Sequence, residues 1–182
     1  MQNVEEYKVL RDEIKTHVQL ISNYHLAVYT ITGIILGLAI NTHISLFFLV
    51  PFVILVPASF NHLYHMKCTI RLGSYIQVFF ESEETGFLWE TRRYKLLFSE
   101  SNKFDRSRKL IKLIYASSNL FLAIVCVSLF LINCNDRIFL IIGVIISFIS
   151  ICLLLVSEYM FQNSSEFRKE YIKAWENIKN NE

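Results

Sequence analysis

Four stretches of this chain, near 26–40, 44–60, 110–132 and 138–157, are apolar almost without interruption, and polar segments with a helical rhythm separate them. A helix needs about 20 apolar residues to cross the hydrocarbon core of a bilayer, so these runs predict four membrane spans. The first is the weakest, with roughly fifteen apolar residues against the usual ~20, and must borrow Tyr24, His25 and Asn41 at its ends. Ahead of it, Tyr7, Leu10, Ile14, His17, Ile21, Tyr24 and Val28 recur at intervals of three and four, the spacing of a coiled-coil-like seam. No Pro or Gly separates that seam from the first run, which predicts one continuous helix from about Val4 to Ile40.

The second run carries Pro51 and Pro57. Proline removes a backbone donor and clashes with the preceding turn, so kinks are expected at both. After it, Leu63, Met66, Ile70, Tyr75, Val78 and Phe79 share approximately one helical face. From Gly86 to Tyr94 aromatic and cationic groups interleave, and Trp89, Arg92 and Arg93 are expected as anchors at a membrane interface. Ser99 to Lys109 reads as a turn and helix start. In the tail, Phe161, Phe167, Tyr171, Ala174, Trp175 and Ile178 predict a further helix able to pack on the first.

These patterns divide the chain into an N-terminal helix with two spans (1–60), an amphipathic segment (61–109), two more spans (110–157) and a C-terminal helix (158–182). The fold class expected is all-α: a multi-pass helical membrane protein with long cytoplasmic helical extensions, assembled as a ring-shaped homo-oligomer.

Charge sets the expected orientation. Basic residues are nearly absent from the connectors 41–43 and 133–137, but Lys67, Arg71, Arg92, Arg93, Lys95, Lys103, Arg106, Arg108 and Lys109 crowd the middle segment. Lys8, Arg11 and Lys15 precede the first span, and Arg168, Lys169, Lys173 and Lys179 follow the last. Positive residues stay inside, so both termini and the middle segment are expected on the cytoplasmic side. Composition agrees with a lipid environment: 53% of the 182 residues are hydrophobic and 19% charged, beyond the usual globular balance. The net charge of +2 argues against bulk polyanion binding. The first span is expected to act as its own insertion signal, because no cleavable leader pattern is visible.

Cys68, Cys126, Cys134 and Cys152 lack ligand spacing and are expected as free thiols, with Cys134 in an outer connector where it could cross-link subunits. His62, His65 and Cys68 stand three apart, yet positions i, i+3 and i+6 drift around a helix; interfacial histidines are the preferred reading over a metal site. No cofactor-binding loop is present, so no cofactor and no small-molecule substrate are predicted. No charge lies mid-span, which argues against a proton-coupled transporter or voltage sensor. A pore would then be lined by residues such as Thr30, Thr32, Asn119, Ser128 or Ser150.

Two further patterns bear on function. Gly33 and Gly37 form a GxxxG in the first span, and Gly143 with Ser147 repeats the small-xxx-small spacing in the fourth. Such positions let helices approach closely, within a subunit or between subunits. Arg11 and His17 fit the arginine, polar residue, spacer, histidine pattern of HEPN ribonucleases, where imidazole serves as acid/base and guanidinium neutralises a phosphorane. On one helix these two side chains diverge by about 120° at 3.6 residues per turn, and His17 also sits on the seam. A helix-interface histidine is therefore the preferred reading, and no catalytic residue is assigned.

The amphipathic start Leu10 to Ile14, the Gly-containing first span, the Pro-bearing second span, Arg71 to Glu81 and Trp89 to Arg92 together resemble the small accessory membrane proteins of type VI-B CRISPR loci. The likeness covers most of residues 5 to 95 and rests on pattern rather than on a catalytic signature. One branch carries a divergent HEPN-like motif, to which Arg11 and His17 correspond. The resemblance implies a ring-shaped pore in the bacterial inner membrane that strengthens antiphage defence beside an RNA-guided CRISPR ribonuclease, responding to that partner or its RNA products. The alternatives are a membrane-anchored HEPN-like ribonuclease and a non-catalytic membrane scaffold or adaptor.

Overall fold

A computed structural model describes residues 2–81, 88–98 and 102–181, of which 2–3, 93–94, 96–98 and 102–117 are described by their backbone alone. Every regular element among them is helical. Helix α1 (Gln2–Thr42) is continuous over 41 residues, because nothing between its polar first half and its apolar second half breaks it. A short 3-10 turn, Ser45–Leu49, leads into α2 (Phe52–Phe79). There follow α3 (Trp89–Phe98), α4 (Asn102–Asn133), α5 (Arg137–Gln162) and α6 (Ser164–Lys179).

Among the described residues three helical stretches are long and apolar enough to cross a membrane: Val4–Thr42, Ser45–Phe79 and Arg137–Gln162. Ser118–Asn133 is apolar but shorter. Pro51 does not kink a helix as expected. It sits where the 3-10 turn gives way to α2, and its carbonyl accepts from Ile54 N at 3.0 Å and Leu55 N at 2.8 Å, starting the helix at a position where a missing N–H costs little. Pro57 lies inside α2. The second span and the first part of the amphipathic segment, as far as Phe79, are thus one helix, with no boundary at residue 60. The tail does separate from the fourth span, at Asn163.

By contact the chain forms two units, each assembled from separated segments: unit 1 from 1–21, 64–112 and 162–182, unit 2 from 22–63 and 113–161. In unit 1 the N-terminal seam is an intrachain interface. Ile14 packs with Leu72 and Ile76, flanked by Tyr7, Leu10 and Phe80. The tail helix meets α2 there, with the Trp175 ring edge-on to Tyr75 at 5.2 Å and Lys67 over Phe167 at 4.3 Å.

Unit 2 has an inverted pattern. The buried positions of α5 are Gly143, Ser147, Ser150, Leu154 and Ser157, spaced four and three apart and nearly all small. Its large residues, among them Ile138, Ile141, Ile145, Phe148, Ile149 and Val156, face outward. In water that distribution would be unstable; in lipid, outward apolar bulk costs nothing and small residues let helices close on one another. The core they close around contains Ala39, Phe48, Leu49, Phe52, Ala123, Cys126, Phe130, Cys134 and Leu154. All four cysteines are free thiols, as expected, and Cys134, placed by the sequence in an outer connector, is buried in this core.

Gly143 is the tightest point, since a Cβ there would fall on the Phe130 ring of α4, whose Cε2 would lie 3.0 Å away. Gly143→Ala is therefore expected to destabilise unit 2 by about 1–3 kcal/mol, the usual scale of overpacking. Thermal unfolding in detergent checks this, and Phe130→Leu in the same chain should recover part of the loss.

Candidate functional site

The residues singled out by sequence fall into three groups. Arg11 and His17 lie in unit 1, where each has a partner of its own. Arg11 Nη1 donates to Glu90 Oε1 at 2.7 Å, and its guanidinium lies 5.8 Å from the centre of the Trp89 ring. His17 Nδ1 faces His65 Nδ1 at 2.9 Å, so one ring donates there and the other accepts. No hydrogen bond or ring contact joins Arg11 to His17 among the described residues.

Glu90 is the centre of the Arg11 contact and was not visible as special in the sequence. Only 1% of its side chain is exposed, and Arg168 Nη2 approaches its second oxygen at 3.5 Å. Arg168 also donates to Gln77 Oε1 at 2.8 Å. The carboxylate fits because α2 has a glycine beneath it: a Cβ on Gly73 would stand 3.1 Å from Glu90 Oε2. Glu81 holds the start of α3, accepting from the backbone N–H of Glu90 and from Thr91 N at 2.7 Å and Thr91 Oγ1 at 2.6 Å. One buried carboxylate thereby joins α1, α2, α3 and α6. Trp89 and Arg92, expected as membrane anchors, belong to this α3; both are exposed, and the side chain of Arg93 lies outside the described residues.

The second group is the pair of small-residue motifs, and they face different ways. Gly143 and Ser147 are used up by packing inside unit 2. Gly33 and Gly37 are exposed, and a Cβ on either would meet none of the described residues within 4 Å. On α1 the buried Val28, Thr32 and Ala39 mark an inner face. About 180° away at 3.6 residues per turn lie Asn23, Ala27, Thr30, Ile34, Gly37 and Asn41, all exposed and spaced alternately four and three apart. Apart from Ile34 this row is small or polar, and exposed Leu26, Ile31, Leu38 and Ile40 flank it.

The third group is a polar belt that ties α1, α2 and α4 together within unit 2, and sequence reasoning saw only parts of it. Tyr29 shares a hydrogen bond with Ser118 at 2.6 Å and reaches His25 Nδ1 at 3.4 Å. His25 Nε2 faces His62 Nδ1 at 3.3 Å. Asn119 Nδ2 donates to Ser59 Oγ at 2.9 Å. His62, Ser59 and Asn119 in turn border a small cavity with Ser157, Glu158 and Phe161. His62 and His65 thus both pair with histidines of α1, the signal being two histidines on each helix. Of the suggested pore-lining residues, Thr32 and Ser150 are buried, whereas Thr30 and Ser128 are exposed and return their hydroxyls to Leu26 and Ile124 carbonyls.

Removing one member of the Glu90 cluster leaves a charge buried without its counterpart. Glu90→Ala should cost unit 1 about 3–5 kcal/mol. Gly73→Ala should also destabilise, and less so when Glu90 is already Ala, because both substitutions act on the same space. Denaturation followed by intrinsic fluorescence measures this directly, since both tryptophans, Trp89 and Trp175, are in unit 1.

Comparison with known protein families, curated proteins and solved structures finds no match to this chain.

Proposed function

We propose that this protein is a pore-forming accessory of antiphage CRISPR defence, which self-associates in the bacterial inner membrane and depolarises it when an RNA-guided ribonuclease partner is active. The context comes from the resemblance over residues 5 to 95. The single observation that carries the membrane activity is the outer face of α1. Gly33 and Gly37 stand open, and Asn23, Ala27, Thr30 and Asn41 extend the same exposed side. A small, partly polar face suits close approach of a second copy or a water-filled lumen better than lipid. Both termini are placed on the cytoplasmic side in this reading, following the basic residues.

The mechanism is a shift between closed and conducting arrangements of the same ring. An activating partner produces that shift only by binding the conducting state more tightly. The ribonuclease alternative gains no support from the geometry, because Arg11 is bound to Glu90 and His17 to His65.

The test is membrane potential, followed with a voltage-sensitive dye in cells expressing the chain with and without an active RNA-guided nuclease. Depolarisation should require the partner, survive His17→Ala and be abolished by Gly37→Leu. Gly37→Leu should leave the unfolding of the purified protein unchanged, since no described residue occupies that space. Potential that holds in every strain would remove the pore reading.

A further inference from the structure

In unit 1 a groove of about 300 Å³ opens between α1, α2 and α6, lined by Glu6, Leu10, Arg71, Leu72, Tyr75 and Trp175. That volume stands at the lower end of small-molecule sites. Its aliphatic part continues the unit 1 core, since Leu72 packs with Ile14 and Ile76 and Leu10 lies against them. Two rings share the lining, Tyr75 and Trp175, edge-on with centres 5.2 Å apart. Both signs of charge are present as well. Glu6 Oε1 accepts from the Tyr75 hydroxyl at 3.2 Å, and Arg71 stands one helical turn before Tyr75 on the same face of α2. Glu6 and Arg71 do not pair with each other, and among the described residues Arg71 has neither a hydrogen bond nor an ion pair.

Any ligand that fills this groove drives water from it. One of single charge would leave the opposite lining charge without a counter-charge, and a neutral one would leave both. We propose that the groove binds a small zwitterion with an aromatic body, the class of the aromatic amino acids, with its ammonium on Glu6, its carboxylate on Arg71 and its ring over Leu10 and Leu72. The guanidinium offers a carboxylate two parallel N–H donors. Glu6 keeps its second oxygen for the ammonium, the first being taken by Tyr75. The ligand ring gains from the aliphatic floor and from edge contacts with the Tyr75 and Trp175 rings. The site does not depend on the pore reading.

The test uses the full-length protein in detergent, titrated with L-phenylalanine and followed by tryptophan emission, since Trp175 lines the groove. A saturable change in emission is expected, with a matching rise in unfolding temperature, as for any ligand that binds only the folded state. Glycine lacks the ring, phenethylamine the carboxylate and phenylacetate the ammonium, so each should need at least roughly tenfold more for the same effect. Glu6→Gln and Arg71→Gln replace exposed groups and should each raise half-saturation by roughly tenfold, the scale of losing one charge-assisted contact. The ligand series on the wild-type protein needs no variant, should either substitution prevent folding. No saturable response to phenylalanine would overturn the proposal, as would a response undiminished in both variants or matched by any of the three partial ligands. Equal binding of N-acetylphenylalanine amide would overturn it too, and assign the groove to an aromatic side chain of a protein partner.

Discussion

Helices that associate in lipid gain nothing from hiding apolar surface, because the tails outside are as apolar as the leucines inside. Their packing must come from close approach, and unit 2 obtains it from the narrow row of Gly143, Ser147, Ser150 and Ser157 on α5. With bulk on that row, the ring of Phe130 would have nowhere to lie, and the core around Cys126 and Leu154 would open. Close packing also makes possible the polar belt, since helices held this closely can share hydrogen bonds such as that of Asn119 with Ser59. Unit 1 solves a different problem. Its helices bury aromatic and aliphatic surface in the ordinary way and then set one carboxylate, Glu90, between two guanidiniums.

The division of labour along α1 follows from these two solutions. Its first half carries a seam against Leu72 and Ile76, and its second half carries an inner face around Val28, Thr32 and Ala39. Only the second half presents another small-residue face outward. The pattern that would be redundant in a monomer, two glycines with no described residue near them, is the one that the functional proposal uses.

Much of the architecture was legible in the residues. The absence of Pro and Gly between the N-terminal seam and the first apolar run fixed α1 as one helix, and the spacing of Gly143 and Ser147 marked a packing face. What spacing cannot reveal is which of two equivalent motifs is filled, and Gly33 with Gly37 differs from Gly143 with Ser147 only in its neighbours. Pro51 was misjudged because a proline signals a kink or a start according to the backbone before it, here a 3-10 turn. Glu90 was illegible, since a carboxylate beside Trp89 and two arginines looks like a solvated surface group until its partners arrive from α1 and α6. The histidines suffered the same ambiguity: each belongs to a pair whose other half is a distant part of the chain.

The Glu90 cluster also has a history in time. Arg11 is 79 residues from Glu90 in sequence, and Arg168 follows Gln77 by 91 residues. At a synthesis rate of ~5–20 residues per second, the second guanidinium emerges on the order of ten seconds after α2. All of α4 and of α5 is made within that interval. Arg168 is the last charged member of the cluster to be synthesised, so the cluster can be complete only once α5, the apolar helix preceding α6, has been made.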